Sequence, residues 1–166
     1  MAVLTLTRRA MILTLLAACS SAPRFLTYDG PRVTEIRVFK AARRMQLLHG
    51  ETVLRDYEIG LGFAPVGHKE REGDGRTPEG VYEIDRRNPR SAYHLSLGIS
   101  YPNEADIAHA RELGVSPGGD IFIHGRGPNH RRARGDWSVG CITVTDREIE
   151  EIYSMVDDGT RIVLAP

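Results

Sequence analysis

The sequence predicts a mainly-β, α+β domain with one or two short helices, and three observations carry that prediction. Apolar residues alternate with polar ones through TEIRVFKAARRMQLLHGETVLRDYEIGLG, at Ile36/Val38 and again at Met45/Leu47, which is the period of a half-buried strand. Seventeen glycines and nine prolines in 166 residues, with 7% aromatic residues, suit a loop-rich chain. Strand and helix patterns do not alternate regularly, which argues against a doubly wound parallel sheet.

The chain begins MAVLTLTRRAMILTLLAAC, where Arg8 and Arg9 precede the apolar run Ala10–Ala18. A charged start followed by a short apolar stretch reads as an export signal over 1–18, too short to remain as a membrane span. Leu16-Ala17-Ala18-Cys19 resembles a bacterial lipobox, a resemblance that implies Cys19 as the lipidated mature N-terminus and membrane anchor; an ordinary cleavage site is the alternative. Residues 19–31, ending in the turn-rich SSAPRFLTYDGP, form the tether. Fully extended from Cys19 to Val33, this tether reaches no more than about 50 Å. The folded domain is expected over 32–166, enough chain for one core, and nothing demands more than a monomer.

Strands are expected at 33–40, 44–49 and 52–60, antiparallel, with LHGET turning between the last two. A long loop runs from Phe63 to Glu79. Short strands follow at Val81–Asp85 and Tyr93–Leu97. A helix is predicted from Glu104 to Leu113, with Ile107 and Leu113 as its apolar residues and Gly114 as its stop. DIFIHG is a compact strand ending at a glycine. Thr145 and Glu148 are spaced as a capping box, which starts a second helix over 146–156, and TRIVLAP closes as the last strand.

Charge excludes one class of partner. With 22 basic and 22 acidic residues the net charge is zero, so no nucleic-acid partner is indicated. Cysteine usage is more informative. If Cys19 carries lipid, Cys141 is a solitary thiol in an exported chain and is a buried small residue or a nucleophile, not half of a disulfide. Of six histidines, His124 stands out: it ends the apolar run Ile121-Phe122-Ile123 and Gly125 follows it. Gly140 gives Cys141 a similar setting, and an imidazole beside a thiol is the usual means of making it nucleophilic. The structural alternatives are a packed cysteine and a hydrogen-bonded histidine at a strand end.

IHG at 123–125 followed by SVGCITVTD at 138–146 resembles the signature of the L,D-transpeptidase catalytic domain. The likeness continues through GDGRTPEGVYEI at 73–84, SLGISYPNEAD at 96–106 and PGGDIFIHG at 117–125, and covers the chain from about residue 32. The resemblance implies that family's β-sandwich-like domain and an enzyme that acts on peptidoglycan stem peptides. It implies Cys141 as the nucleophile and His124 as the group that takes and returns its proton, with no cofactor and no metal. The imidazole would be oriented by the Gly125 backbone carbonyl and not by a carboxylate, although Asp136 is the nearest candidate for one. Ser138, Gly140 and the Cys141 amide would line the acyl site, and Arg76, Thr77 and Pro78 would shape the groove. The thioester would be resolved by an amine or by water.

Two positions depart from the family pattern: Val139 stands where a histidine or another polar residue is common, and Thr143 where Arg or Asn is common. Arg126, or the run Arg131, Arg132 and Arg134, is then the candidate for holding a substrate carboxylate; a solvated loop is the alternative for the run. Trp137 is expected in the core more than in the site wall, and His68 and His94 in structural roles. GDGRTPEG lacks the Gly-Lys-Ser/Thr ending of a phosphate loop. A metal site from His124, His130 and Cys141, at spacings of 6 and 11, matches no common zinc pattern. A lipid-anchored binder of stem peptides without turnover is the non-enzymatic alternative.

Overall fold

A computed structural model describes residues 25–166 of the chain; the expected signal segment and Cys19 lie outside the described residues. One eight-stranded mixed sheet dominates, with strands β1 (Glu35–Phe39), β2 (Arg44–His49), β3 (Thr52–Glu58), β4 (Gly80–Asn88), β5 (Ser96–Ile99), β6 (Phe122–His124), β7 (Ile142–Thr143) and β8 (Arg161–Ala165). Their spatial order is β3-β2-β1-β8-β4-β5-β6-β7. Two helices accompany them, α1 (Glu104–Glu112) and α2 (Asp146–Met155). This is the α+β class the sequence predicts.

The first three strands form the expected antiparallel meander, with Ile36, Val38, Met45 and Leu47 all buried. A register shift between Leu47 and Leu48 turns Leu48 inward as well. β8 then inserts between β1, to which it is parallel, and β4, to which it is antiparallel. The first half of β4 pairs with β8 and the second half with β5, with a register shift between Ile84 and Arg86. A register shift of this kind bends and twists the strand that carries it. Past β3 the chain reaches the far edge: Gly60 bridges Thr143 and Gly62 bridges Ser138. The sheet therefore curls until its two edges meet beside the segment that carries Cys141.

The helices differ in what holds them. α2 buries Ile149, Ile152, Tyr153 and Met155 under β5 and β6, and the predicted Thr145/Glu148 capping box is present. Each such isoleucine contributes about 1.5–3 kcal/mol by leaving water. α1 corrects the sequence reading: Ile107 and Leu113 are exposed, and the buried residues are Asp106 and Ala110. A capping box at Asn103 starts it, and Asp106 Oδ2 accepts the Tyr82 hydroxyl at 2.9 Å. Gly114, at φ +66°, ends it as expected.

The loop from Phe63 to Glu79 has no regular structure yet is closely tied. Fully buried Lys40 donates to Gly67 O (2.6 Å), Thr77 O (2.9 Å) and Glu79 Oε1 (2.7 Å). Lys69, also buried, donates to Asp74 Oδ1 at 2.8 Å, and Asp74 accepts the backbone N–H groups of Glu70, Arg71 and Arg76. Burial of a charge is tolerable only with such partners.

Candidate active site

β6 and β7 run parallel, pairing His124 with Thr143 and Ile123 with Ile142, so His124, the last residue of β6, lies diagonally across from Cys141, the residue just before β7. Both line a cavity of about 440 Å³ with Tyr93, Ser96, Asp120 and Phe122. They also share a smaller slot of about 230 Å³ with Tyr93, His130, Trp137 and Val139. A third cleft, of about 250 Å³, reaches Cys141 from the side of Lys69 and Gly118–Asp120. Three clefts thus meet at one sulfur.

His124 is buried, and its Nδ1 lies 2.6 Å from Gly125 O. A carbonyl only accepts, so Nδ1 carries the proton and Nε2 is left as the basic nitrogen. Tyr93 lies tilted over the imidazole at 4.3 Å between ring centres, and Trp137 meets it edge-on at 5.8 Å. Burial pulls the imidazole below the ordinary histidine range; His130 adds to that effect, and the bond to Gly125 opposes it. At Cys141, burial pushes the thiol up, with Asp120 acting in the same sense, while a backbone hydrogen bond from Phe122 and the charge of Lys69 oppose. Burial thus favours the uncharged form of each group, the thiol and the neutral imidazole.

The turn into Cys141 is held by Ser138, whose hydroxyl donates to Cys141 O at 2.7 Å and accepts the Gly140 N–H at 3.2 Å. Gly140 sits at φ +133°, and a Cβ there would meet Arg76 O at 2.7 Å, so only glycine fits. The thiol donates to Asp120 O at 3.5 Å; Asp120 adopts φ +53°, turning that carbonyl to the sulfur.

The other sequence candidates fall in different places. Asp136 faces away from His124: both its oxygens bind Arg43, at 2.7–3.1 Å, and Oδ1 accepts the Leu61 N–H at 2.9 Å. Thr77 Oγ1 accepts the Gly62 N–H, and the Arg76 guanidinium bonds Glu70 and His68 O, so neither side chain lines the clefts at the thiol. Arg126 and Arg134 line a separate cleft of about 420 Å³ with Arg43, Glu58 and Thr143, on the other side of Trp137. Arg126 Nε is buried there without a hydrogen-bond partner. Arg131 and Arg132 are exposed loop residues. Val139 projects into solvent at the lip of the slot.

Trp137 reverses the core expectation: it is half-buried, stacks on His130 at 4.6 Å and walls the slot. His94 pairs with Glu150 at 2.8 Å and His68 with Asp106 at 3.1 Å, and neither lines the clefts at the thiol. Sequence reasoning misses Tyr93, Asp120 and Lys69. The expected strand at Tyr93–Leu97 starts later than the pattern suggests. A turn at Ser91–His94, with His94 at φ +82°, delays β5 to Ser96 and frees the Tyr93 ring to cover the imidazole.

Comparison with known proteins follows the same outline. Residues 34–164 match the L,D-transpeptidase catalytic domain (YkuD). YafK of Escherichia coli (strain K12), which carries a provisional L,D-transpeptidase name, is 33% identical over 127 residues, covering 73% of this chain and 46% of its own. Pgp2 of Campylobacter jejuni, a helical cell shape determining protein, superposes with TM-score 0.61 at 25% identity over 87% of this chain and 51% of that one. An L,D-transpeptidase from Mycobacterium smegmatis shares the fold, with TM-score 0.54 at 16% identity over 82% of this chain and 60% of that one. The chain spans about half the length of the curated relatives it matches.

Proposed function

This chain belongs to the L,D-transpeptidase catalytic-domain family, and on that premise we propose that it is a peptidoglycan-modifying cysteine acyltransferase. The observation that carries the reading is the shared cavity of His124 and Cys141, with Nδ1 of the imidazole committed to Gly125 O and Nε2 left as base. Because burial favours the uncharged form of both groups, proton transfer in this reading accompanies attack. Nε2 takes the thiol proton as Sγ adds to the carbonyl carbon of the third residue of a stem peptide, at the amide that follows it. The Gly140 N–H is engaged by Ser138, so the Cys141 amide is the donor to the developing oxyanion. Collapse breaks the C–N bond, His124 returns the proton to the leaving amine, and a thioester remains. An amine acceptor then attacks, gives its proton to His124 and releases the thiol.

Water resolves the same thioester, and the opening of three clefts at a partly exposed Cys141 supports hydrolysis as the second reading. Substrate recognition falls to the clefts themselves, with the aromatic slot on one side and the Lys69 cleft on the other. In this reading Cys19 anchors the domain to the envelope membrane by its lipid, and the domain works within reach of the tether. Among the described residues no helix is long and apolar enough to cross a membrane.

Intact-mass spectrometry with purified muropeptides, and separately with a carbapenem, tests the reading. Wild-type protein is expected to gain a covalent adduct that Cys141→Ala lacks. A crosslinked product assigns the transferase, and trimmed stems assign the hydrolase. No adduct and no product in wild type would leave a stem-peptide binder.

A further inference from the structure

The peptide unit between Gly125 and Arg126 is gripped at both ends. Its carbonyl oxygen holds His124 Nδ1 at 2.6 Å, and its N–H donates to Asp146 Oδ1 at 2.7 Å. The same carboxylate oxygen accepts the next amide, Gly127 N–H, at 2.8 Å. A trans peptide is planar, with its N–H and C=O pointing in opposite directions, so the plane cannot turn without breaking one of these bonds. The surroundings leave no slack: a Cβ on Gly125 would meet Asp146 Oδ1 at 2.7 Å, Tyr93 O at 2.8 Å and Ile149 Cγ2 at 2.9 Å.

We propose that Asp146 is the positioning carboxylate of this site, acting on His124 through the Gly125–Arg126 peptide. Resting on the acyltransferase reading, this assigns the third member of the catalytic constellation as a carboxylate with one peptide bond interposed. Two effects follow. Orientation is the first, because the carboxylate fixes the peptide plane and therefore the direction of the acceptor that selects the Nδ1–H tautomer. Polarisation is the second, because a charged acceptor on the N–H strengthens the carbonyl at the other end of the same unit. Asp146 also opens α2, shortly after the strand that follows Cys141, so one residue ties the loop of the base to the strand of the nucleophile. Asp136 is excluded from this role by its bonds to Arg43 and Leu61. Tyr93 and Trp137 pack against the His124 ring, His130 contacts both of those rings, Asp120 and Cys141 line the same cavity, and Gly125 O is the acceptor at Nδ1.

The test combines the carbapenem acylation rate with ¹⁵N spectra of the histidine ring in the unliganded full chain, for wild type, Asp146→Asn and Asp146→Ala. The expected result is a pure Nδ1–H tautomer in wild type and a mixture of tautomers in the alanine variant. Acylation by the alanine variant should fall by about 10-fold to 100-fold, the range for removing an outer partner of a functional imidazole. Asparagine keeps an acceptor oxygen but loses the charge, so it should preserve the tautomer and lie between the two in rate. The acid limb of the alanine variant's pH–rate profile should move to lower pH, since the bond to Gly125 holds the imidazole value up. A purely structural carboxylate would lower thermal stability while leaving tautomer and pH limb unchanged, and that result would overturn the proposal. Should the alanine variant not fold, Asp146→Ser takes its place, with the same two outcomes. Failure of wild type to acylate sinks the acyltransferase reading instead, and the tautomer measurement still decides the role of Asp146.

Discussion

Backbone pairing flanks both Cys141 and His124, but the orientation of the His124 ring rests on one peptide and the side chains around it. On the nucleophile's side, Gly60 exchanges two backbone hydrogen bonds with Thr143 at 2.8 and 2.9 Å, and Ser138 bonds Leu61 and Phe63. On the base's side, His124 O accepts the Val144 N–H at 3.0 Å and the Gly125 N–H donates to Leu95 O at 3.3 Å, while the ring itself is oriented by the Gly125–Arg126 peptide, Asp146 and a cage of aromatic rings. The first arrangement is redundant and should survive loss of a single side chain. The second is precise but thin for the ring, because the proton on Nδ1 goes to the single acceptor Gly125 O. A site can therefore be robust in fold and fragile in rate.

The largest expected effect is His124→Ala, which should lower Cys141 acylation by about 10²–10⁴-fold without unfolding the protein. In wild type the acid limb of the acylation profile should lie below pH 6.5, because burial holds the imidazole below its ordinary value and keeps it a free base down to that limb. A limb above pH 6.5 would contradict the buried, neutral imidazole. Next comes Gly62→Ala on the nucleophile's side, where a Cβ would lie 2.0 Å from Gly75 O and 2.9 Å from Gly140 Cα. Overpacking against backbone should cost about 1–3 kcal/mol in urea unfolding; a neutral result would mean that the closing ladder is looser than its distances imply.

Acid should loosen the loop behind the nucleophile at an intermediate level. Burial tends to raise the Asp74 carboxyl, but Lys69 and three backbone N–H groups prevail and hold it at about 2. The folded value is below the ordinary one, so this stabilisation is present above about pH 4 and lost as pH falls toward about 2. Measured as the difference between wild type and Asp74→Asn, it should amount to about 2 kcal/mol at neutral pH and vanish in acid. The smallest effect is expected from replacing Arg131 and Arg132 with serine, exposed residues without ion pairs among the described residues. Stability should change by less than about 0.5 kcal/mol, and a large loss of acylation would instead show that this loop takes part in the site.

Much of the molecule is readable from local pattern. Alternation at Ile36/Val38 and Met45/Leu47 locates the meander, and Thr145/Glu148 locates α2, because both signals lie within a few residues. The thiol and imidazole are legible through motif and the scarcity of cysteine. What escapes has a common physical reason: its cause is distant in sequence. β7 is two residues long and exists only because Gly60 and β6 flank it. Asp136 lies between His124 and Cys141 in the chain and so looks like a partner for the base, but Arg43, far away in sequence, claims it. Asp146 reads as an ordinary acid in the first turn of a helix, and nothing local tells that its oxygen reaches back to Arg126 and Gly127. Trp137 gives no sign in sequence that His130 will stack on it.

The place of β8 bears on how the domain comes to be folded. The last of the eight strands in chain order lies in the middle of the sheet, parallel to the first and antiparallel to the fourth. Until Arg161–Ala165 has been made, the meander and the site-bearing half have no common strand to join them. Each half is left with an open edge, and the parallel pairing of β1 with β8 brings Glu35 to Arg161 across most of the chain. Such non-local closure is slow, since chain entropy must be surrendered before the contacts that compensate it form. A growing chain of this sequence therefore lacks the strand that joins its two halves until β8 is made, although β5, β6 and β7, which carry the base and border the nucleophile, pair without it.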